Sequence, residues 1–485
     1  MSRQIYGFPQ HATPTSELLE NVKQKRLKDI DWRNGKAFCL IYHPGEEREQ
    51  AIKEVFDQYY ADSALNPTAT PSLVDIETET VSMCADLFHG DEQVCGNVTT
   101  GGTESILLAV KTARDWARKN RPHITKPHVV IPESAHPAFQ KAFHFLNVEY
   151  TVIPTAANYQ ADVIATEKAV TSNTILLVCS APAYPYGVID PVEQIAALAK
   201  KKNLLCHVDA CIGGFILPFI RDLGYSVPAF DFSVEGVTSL SADMHKYGYA
   251  PKGASVVLYR THELRRFQFS LYTKWSGGVY GSPTITGTRA GSNIAGAWAA
   301  IRSIGRHGYQ EMAKATKEAT EQIKQTVLQT EELQLMGETE MSIVAFKSDK
   351  LDVYMLADVL NKKGWHFERQ QSPPSLHFTV NYIHKNVVNE FIGDLKEAIT
   401  DVRTKRMMQV GNKLQNTLVK GLSSILPEGS IAKLQKNSAP DLNNENKAAM
   451  YGMMGALSGT SDLEHIVLDF LDNMYTAKPD KTKNG

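Results

Sequence analysis

Lys246 is the side chain here with the most chemistry to offer. It stands in Ser241-Ala242-Asp243-Met244-His245-Lys246-Tyr247-Gly248, after the apolar Val234 and before Pro251-Lys252-Gly253. A lysine set among His, Tyr and Gly is unlike an ordinary solvated lysine. To form a Schiff base its amine must shed a proton, which partial burial and nearby cationic groups encourage. The plain alternative is a surface lysine on a loop.

Two further stretches could carry chemistry. Thr99-Thr100-Gly101-Gly102-Thr103-Glu104-Ser105 precedes Ile106, Val110, Ala113 and Ala117, an apolar stripe at helical spacing. Small residues at a helix start leave backbone N–H groups free, and the helix dipole favours an anion there. The Thr103 hydroxyl adds one donor; the same residues could equally be a turn capping a helix. His207-Val208-Asp209-Ala210-Cys211 closes an apolar strand, and open α/β sheets bind ligands at the carboxyl ends of strands. Asp209 there either caps the segment that follows or keeps a heterocyclic nitrogen protonated, because a buried carboxylate needs a partner.

These residues must be held by a framework, and its pattern is legible. The runs 128–131, 174–178, 204–208 and 255–259 read as buried strands, with helical stretches such as Val192 to Lys202 between them. That alternation implies a mainly parallel sheet covered on both faces. Beyond residue 330 an α+β pattern takes over, with strands at 341–346 and 376–380 and helices at 353–363 and 386–402. The expected organisation is an N-terminal segment 1–60, a large domain 61–330 and a C-terminal small domain 331–475. A polar insertion at about 407–448 and a disordered tail 476–485 complete it.

The bulk composition excludes several classes. A net charge of -2 over 485 residues gives no basic excess for nucleic acid or an anionic membrane surface. The longest apolar stretch, 204–220, is broken by His207, Asp209 and Pro218, so no transmembrane segment is expected. The six cysteines form no CxxC pair and no zinc-ligand cluster, so no metal site is predicted and a reducing, cytoplasmic compartment is expected. Export is not readable from the sequence.

An anion cradle, an acidic strand end and a His-Lys pair, in that order, give the layout of enzymes that use pyridoxal 5'-phosphate (PLP). The chain resembles the group II PLP-dependent decarboxylase superfamily, and within it most resembles the sphingosine-1-phosphate lyase branch. The stretches that favour this branch are 102–107, 207–215, 249–253, 275–284, Gln371-Ser372-Pro373-Pro374-Ser375-Leu376-His377-Phe378 and Tyr451-Gly452-Met453. The resemblance implies an α/β chain of PLP-dependent transferase fold type I (aspartate-aminotransferase-like), with a smaller α+β C-terminal domain.

It also implies roles. Lys246 would carry PLP, Asp209 would pair with the pyridine nitrogen, and His136 in Ser134-Ala135-His136-Pro137 would stack on the ring. Gly102, Thr103, Cys211 and His245 would contact the cofactor. Thr288 in Gly287-Thr288-Arg289 would be supplied by a neighbouring subunit, which makes the expected active form a homodimer. Lys252, with Tyr42, Tyr451 and Arg289, would seat the phosphate of a phosphorylated sphingoid base. The reaction implied is cleavage between Cα and Cβ to a long-chain aldehyde and phosphoethanolamine, with amino-acid decarboxylation and a non-catalytic PLP scaffold as rivals.

Two departures from the family pattern stand out. Asn66-Pro67-Thr68-Ala69-Thr70-Pro71 lacks the histidine the family carries after Asn-Pro, a substrate-phosphate contact there. Arg289-Ala290-Gly291 replaces Arg-Pro-Gly. The membrane anchor of the eukaryotic relatives is also missing from the pattern, which suggests a bacterial-type form.

Overall fold

The apolar runs pair side by side into one sheet. A computed structural model of the chain describes residues 8–404 and 447–476. Its central sheet comprises β1 (Cys95–Thr99), β2 (His128–Pro132), β3 (Glu149–Ile153), β4 (Thr174–Ser180), β5 (Leu205–Asp209), β6 (Ser239–Ala242) and β7 (Ser255–Tyr259). Across the sheet the order is β1-β7-β6-β5-β4-β2-β3. Strands β3, β2, β4, β5 and β6 pair in parallel, and β7 runs antiparallel to both β6 and β1. The sheet is therefore mainly parallel, as the sequence predicts. Every residue of β2, β4, β5 and β7 is buried, as a sheet covered on both faces requires.

Direction in this sheet is what builds the site. Because β1 and β6 are both antiparallel to β7, they run the same way as β5, β4 and β2. The carboxyl ends of these five strands, like that of β3, thus share one edge. Thr99, Ala242, Asp209, Ser180 and Pro132 are the last residues of these strands, and each is followed by a segment named in the sequence reading or lying between such segments.

The helix Gly102–Asn120 follows β1 and buries Ile106, Val110, Ala113 and Ala117, the predicted stripe. Its start is pinned by a chain of hydroxyls. Ser105 Oγ lies 2.7 Å from Thr99 Oγ1 and 2.9 Å from Ser255 Oγ, and Ser255 donates to the Ala242 carbonyl at 3.0 Å.

By internal packing the chain divides into two compact units. The larger comprises 33–346 and 377–392 and contains the central sheet. The smaller comprises, of the described residues, 8–32, 347–376, 393–404 and 447–476. Residues from 33 onward thus belong to the sheet unit. Lys36 pairs with Glu390 at 2.5 Å, Arg48 with Glu311 at 2.9 Å, and Phe38 stacks on His384 at 4.0 Å. The helix Thr15–Arg26 buries none of its residues. Strands Ile343–Lys347 and Pro374–Thr379 and helices Val353–Lys362 and Val388–Thr404 match the α+β pattern expected after residue 330. Residues 407–446 of the predicted insertion, and 477–485 of the predicted tail, lie outside the described residues.

Candidate active site

The carboxyl edge of the sheet encloses a cavity of about 310 Å3, lined by Gly102, Thr103, His136, Asp209, Cys211, His245 and Lys246 among others. Seven residues scattered over 145 positions of sequence, all predicted to act at one site, therefore meet around one space. Lys246 reaches it from the turn that follows β6, Asp209 from the end of β5, and His136 from the loop after β2.

Each is fixed by its neighbours. Asp209 Oδ1 accepts the Cys211 backbone N–H at 3.0 Å, with the Ser241 hydroxyl at 3.5 Å. Beneath it, His207 lies between Ser239 and Ser241 at 2.9 and 3.2 Å, and burial drives its pKa down to about 4, so the ring is neutral. His136 accepts the Ala138 N–H at Nδ1, 3.1 Å away, which assigns the ring proton to Nε2.

Lys246 departs from the sequence expectation. Burial opposes its charge, but the carboxylate of Asp243, 3.0 Å away, outweighs burial and holds the amine above its ordinary range. In the free protein Lys246 is thus an ion-paired ammonium; the partial burial invoked to deprotonate it does not prevail. Asp243 stands within the quoted motif, and its i,i+3 spacing from the lysine was the signal available for it.

The anion cradle is built for close approach. Gly101 has φ +149°, a conformation that side chains rarely adopt, and a Cβ on Gly102 would lie 2.8 Å from both Asp243 Oδ1 and Cys211 Sγ. The Nδ1 atom of His245 is buried with no hydrogen-bond partner among the described residues. A glycine-lined helix N-terminus, an orphaned imidazole nitrogen, a primary amine and a carboxylate around one cavity fit PLP. The first two suit its phosphate, Lys246 its aldehyde, and Asp209 its ring nitrogen.

Residues 4–349 match the pyridoxal-dependent decarboxylase conserved domain. A sphingosine-1-phosphate lyase of Arabidopsis thaliana is 44% identical, covering 80% of this chain and 72% of that protein. Sphingosine-1-phosphate lyase 1 of Rattus norvegicus is 36% identical, over 98% of this chain and 78% of its own. Among solved structures, a sphingosine-1-phosphate lyase of Burkholderia pseudomallei superposes with a TM-score of 0.80 at 38% identity, covering 84% of this chain and 96% of that one. The chain belongs to the sphingosine-1-phosphate lyase family. It is an enzyme of the PLP-dependent decarboxylase fold, and its cofactor is PLP.

The remaining residues that resemblance to this family singled out fall in four places. Lys252 and Tyr42 adjoin the Lys246 turn. The Lys252 ammonium donates to the carbonyls of Leu40 and His245 at 2.8 and 3.0 Å and lies 5.0 Å from the centre of the Tyr42 ring. Protein packed around that ammonium and the nearby Lys246 charge bring its pKa down to about 8. Tyr42 packs edge-on against Tyr247 at 4.8 Å.

Arg289 is not brought to this cavity within the chain. It is buried, pairs with Glu77 at 2.6 Å and lines a second cavity of about 500 Å3 together with Pro67 and Thr70 of the altered Asn-Pro stretch. Tyr451 belongs to the smaller unit, where it lies 5.1 Å from the Arg369 guanidinium. Thr288 is exposed and is not among the residues around the Lys246 cavity.

Three contributors were not singled out from sequence. Tyr184 lines the cavity, and its carbonyl accepts from His377 Nε2 at 3.0 Å, which gives the family-specific Leu-His-Phe stretch a structural task. Glu104 and Asp243 line the cavity too. Both stand inside motifs quoted for other residues. Among the described residues no helix is long and apolar enough to cross a membrane.

Proposed function

We propose that the chain is a PLP-dependent aldehyde lyase that cleaves sphingosine 1-phosphate, or a similar phosphorylated long-chain base, to a fatty aldehyde and phosphoethanolamine. The observation that carries this reading is the cavity in which Lys246, Asp209, His136 and the glycine cradle converge, with the cationic Lys252 beside it. When bound, PLP supplies an electron sink for the pair left on the amine-bearing carbon.

The chain's own residues account for the rest. The cradle and His245 hold the cofactor phosphate, Asp209 keeps a proton on the pyridine nitrogen, and His136 covers the ring face. The β-hydroxyl loses its proton, Cβ becomes the aldehyde carbon, and the electron pair of the Cα–Cβ bond stays on Cα until a proton replaces it. Such a substrate has no carboxylate to lose. Lys246 would carry the cofactor, and Asp243, 3.0 Å away, would keep its ammonium in place whenever the amine is free. Lys252 and Tyr42 seat the substrate phosphate, a dianion that a fixed ammonium matches; Tyr451 and Arg289 are further candidates for this task.

The reading includes a homodimer in which Thr288 of one subunit completes the cofactor site of the other. In support, the hairpin Ser270–Ser282 and its flank expose Leu271, Trp275, Val279 and Ile285 at 69%, 56%, 73% and 52%, far more apolar surface than one short segment normally leaves in water. It extends to a cytoplasmic location, which six buried free thiols support.

The test offers the purified protein with PLP either sphingosine 1-phosphate or a set of amino acids. Aldehyde and phosphoethanolamine in equal amounts support the lyase. Carbon dioxide from an amino acid, with the phosphorylated base intact, replaces it with a decarboxylase.

A further inference from the structure

Glu104 ties together two parts of the chain that sequence places far apart. It is buried in the first turn of the cradle helix, where one carboxylate oxygen accepts from the Thr100 backbone N–H at 2.7 Å and the Thr100 hydroxyl at 2.8 Å. The other oxygen accepts the backbone N–H groups of Ile285 and Thr286 at 2.8 and 3.2 Å. Both oxygens are thus committed, one to the cradle and one to the loop that leads to Thr288.

That loop is held at both ends. Thr284 Oγ1 donates to the Thr286 carbonyl at 2.8 Å. On the far side, Arg289 is fixed by Glu77, and its carbonyl accepts the Ala64 N–H at 3.0 Å. Between these anchors Thr288 is exposed and is not among the residues around its own subunit's cavity. Among the described residues the N–H groups of 285 and 286 both find their acceptor in Glu104. Two charge-assisted hydrogen bonds to a buried carboxylate thus fix the loop's path.

We propose that Glu104 is a positioning residue that acts across the dimer. By fastening the Thr288 loop to its own cradle helix, it sets cofactor affinity in the partner subunit's site. This rests on the dimer reading above. It predicts that the defect caused by losing Glu104 appears in the other subunit.

Mixed dimers of differently tagged chains test it. Borohydride reduction fixes PLP only to a subunit that retains Lys246, so mass spectrometry reads occupancy of one chosen site against PLP concentration. In the first dimer, Glu104→Ala stands on the subunit that keeps Lys246, and the partner carries Lys246→Ala. In the second, Glu104→Ala and Lys246→Ala share a subunit, and the partner is otherwise unaltered.

The proposal expects the second dimer, whose read site keeps its own Glu104, to bind PLP about tenfold more weakly than a dimer that carries Lys246→Ala on one subunit alone, the equivalent of one or two lost hydrogen bonds. Glu104→Gln, which keeps the shape, should give the same pattern at smaller size. Weak binding in the first dimer with ordinary binding in the second would overturn the proposal, as would no defect in either. Sedimentation as a monomer in the presence of PLP would overturn the dimer reading, and the proposal with it.

Discussion

The ammonium of Lys246 lies 3.0 Å from the carboxylate of Asp243, and that carboxylate is 97% shielded from solvent. The lysine expected to give up its proton is therefore held charged by a residue three positions before it. The pairing has a use in turnover, when the released lysine must stay close, and a cost in cofactor loading, which needs the neutral amine.

Replacing Asp243 by Asn should expose that cost. Burial lowers the Lys246 pKa, and without the carboxylate the strongest influence raising it is gone, so it falls. The rate at which the PLP absorbance band grows at neutral pH should rise by about tenfold for each unit of the shift, and its pH profile should move to lower pH. Equal or slower loading would show that Asp243 does not control the lysine's protonation.

Lys252 sets a second pH dependence. With its pKa near 8 in the free enzyme, its charge, and with it attraction for the substrate phosphate, is lost as pH rises through that value. A fall in kcat/KM is expected above it, since kcat/KM reports the free enzyme. Lys252→Arg should remove that limb, and Lys252→Ala should raise KM by about tenfold or more. An unchanged KM in the alanine variant would take Lys252 out of the phosphate seat.

Much of this was legible in the sequence, for identifiable reasons. A parallel sheet buried on both faces writes its strands as unbroken apolar runs, so β2, β4, β5 and β7 could be read nearly to the residue. Strand direction then carries Asp209, Lys246 and the cradle to one edge, which makes their order along the chain informative. What could not be read depends on side chains meeting across the fold. Nothing near Arg289 in sequence announces Glu77, 212 positions away, and Glu104 looks like an ordinary first-turn acid until the 285–286 backbone folds onto it. The antiparallel direction of β7 was equally invisible, because burial on both faces erases the alternation that would distinguish it.

The Arg289 pair yields a stability prediction. Arg289→Ala leaves Glu77 buried without its guanidinium, and breaking a buried pair from one side costs about 3–5 kcal/mol. The Asn97 and Val98 N–H groups, which also donate to Glu77 at 3.2 and 3.0 Å, should keep the loss at the lower end. Thermal unfolding should show a large drop in Tm. A rise in KM without loss of Tm would place Arg289 at the substrate.

Glu49 governs the acid limb of stability. Burial raises its pKa, but Arg33, Lys53 and His43 outweigh this and lower it to about 2. A carboxylate whose folded value lies below its unfolded one stabilises the fold at neutral pH, and that contribution fades as pH falls from the ordinary value of 4.5 toward 2. Glu49→Gln should cost about 1 kcal/mol at neutral pH, and the gap to the parent protein should close in acid. A gap that persists unchanged would locate the effect in packing.

The central claim is that Lys246 and its cavity break a carbon–carbon bond and return a proton to the carbon left behind. Incubation with PLP and sphingosine 1-phosphate in D2O, followed by mass spectrometry, tests it most directly. The account predicts phosphoethanolamine carrying one carbon-bound deuterium together with the long-chain aldehyde, and neither product from Lys246→Ala. Intact sphingosine 1-phosphate beside protein that displays the PLP absorbance band, or products that survive in Lys246→Ala, would contradict it.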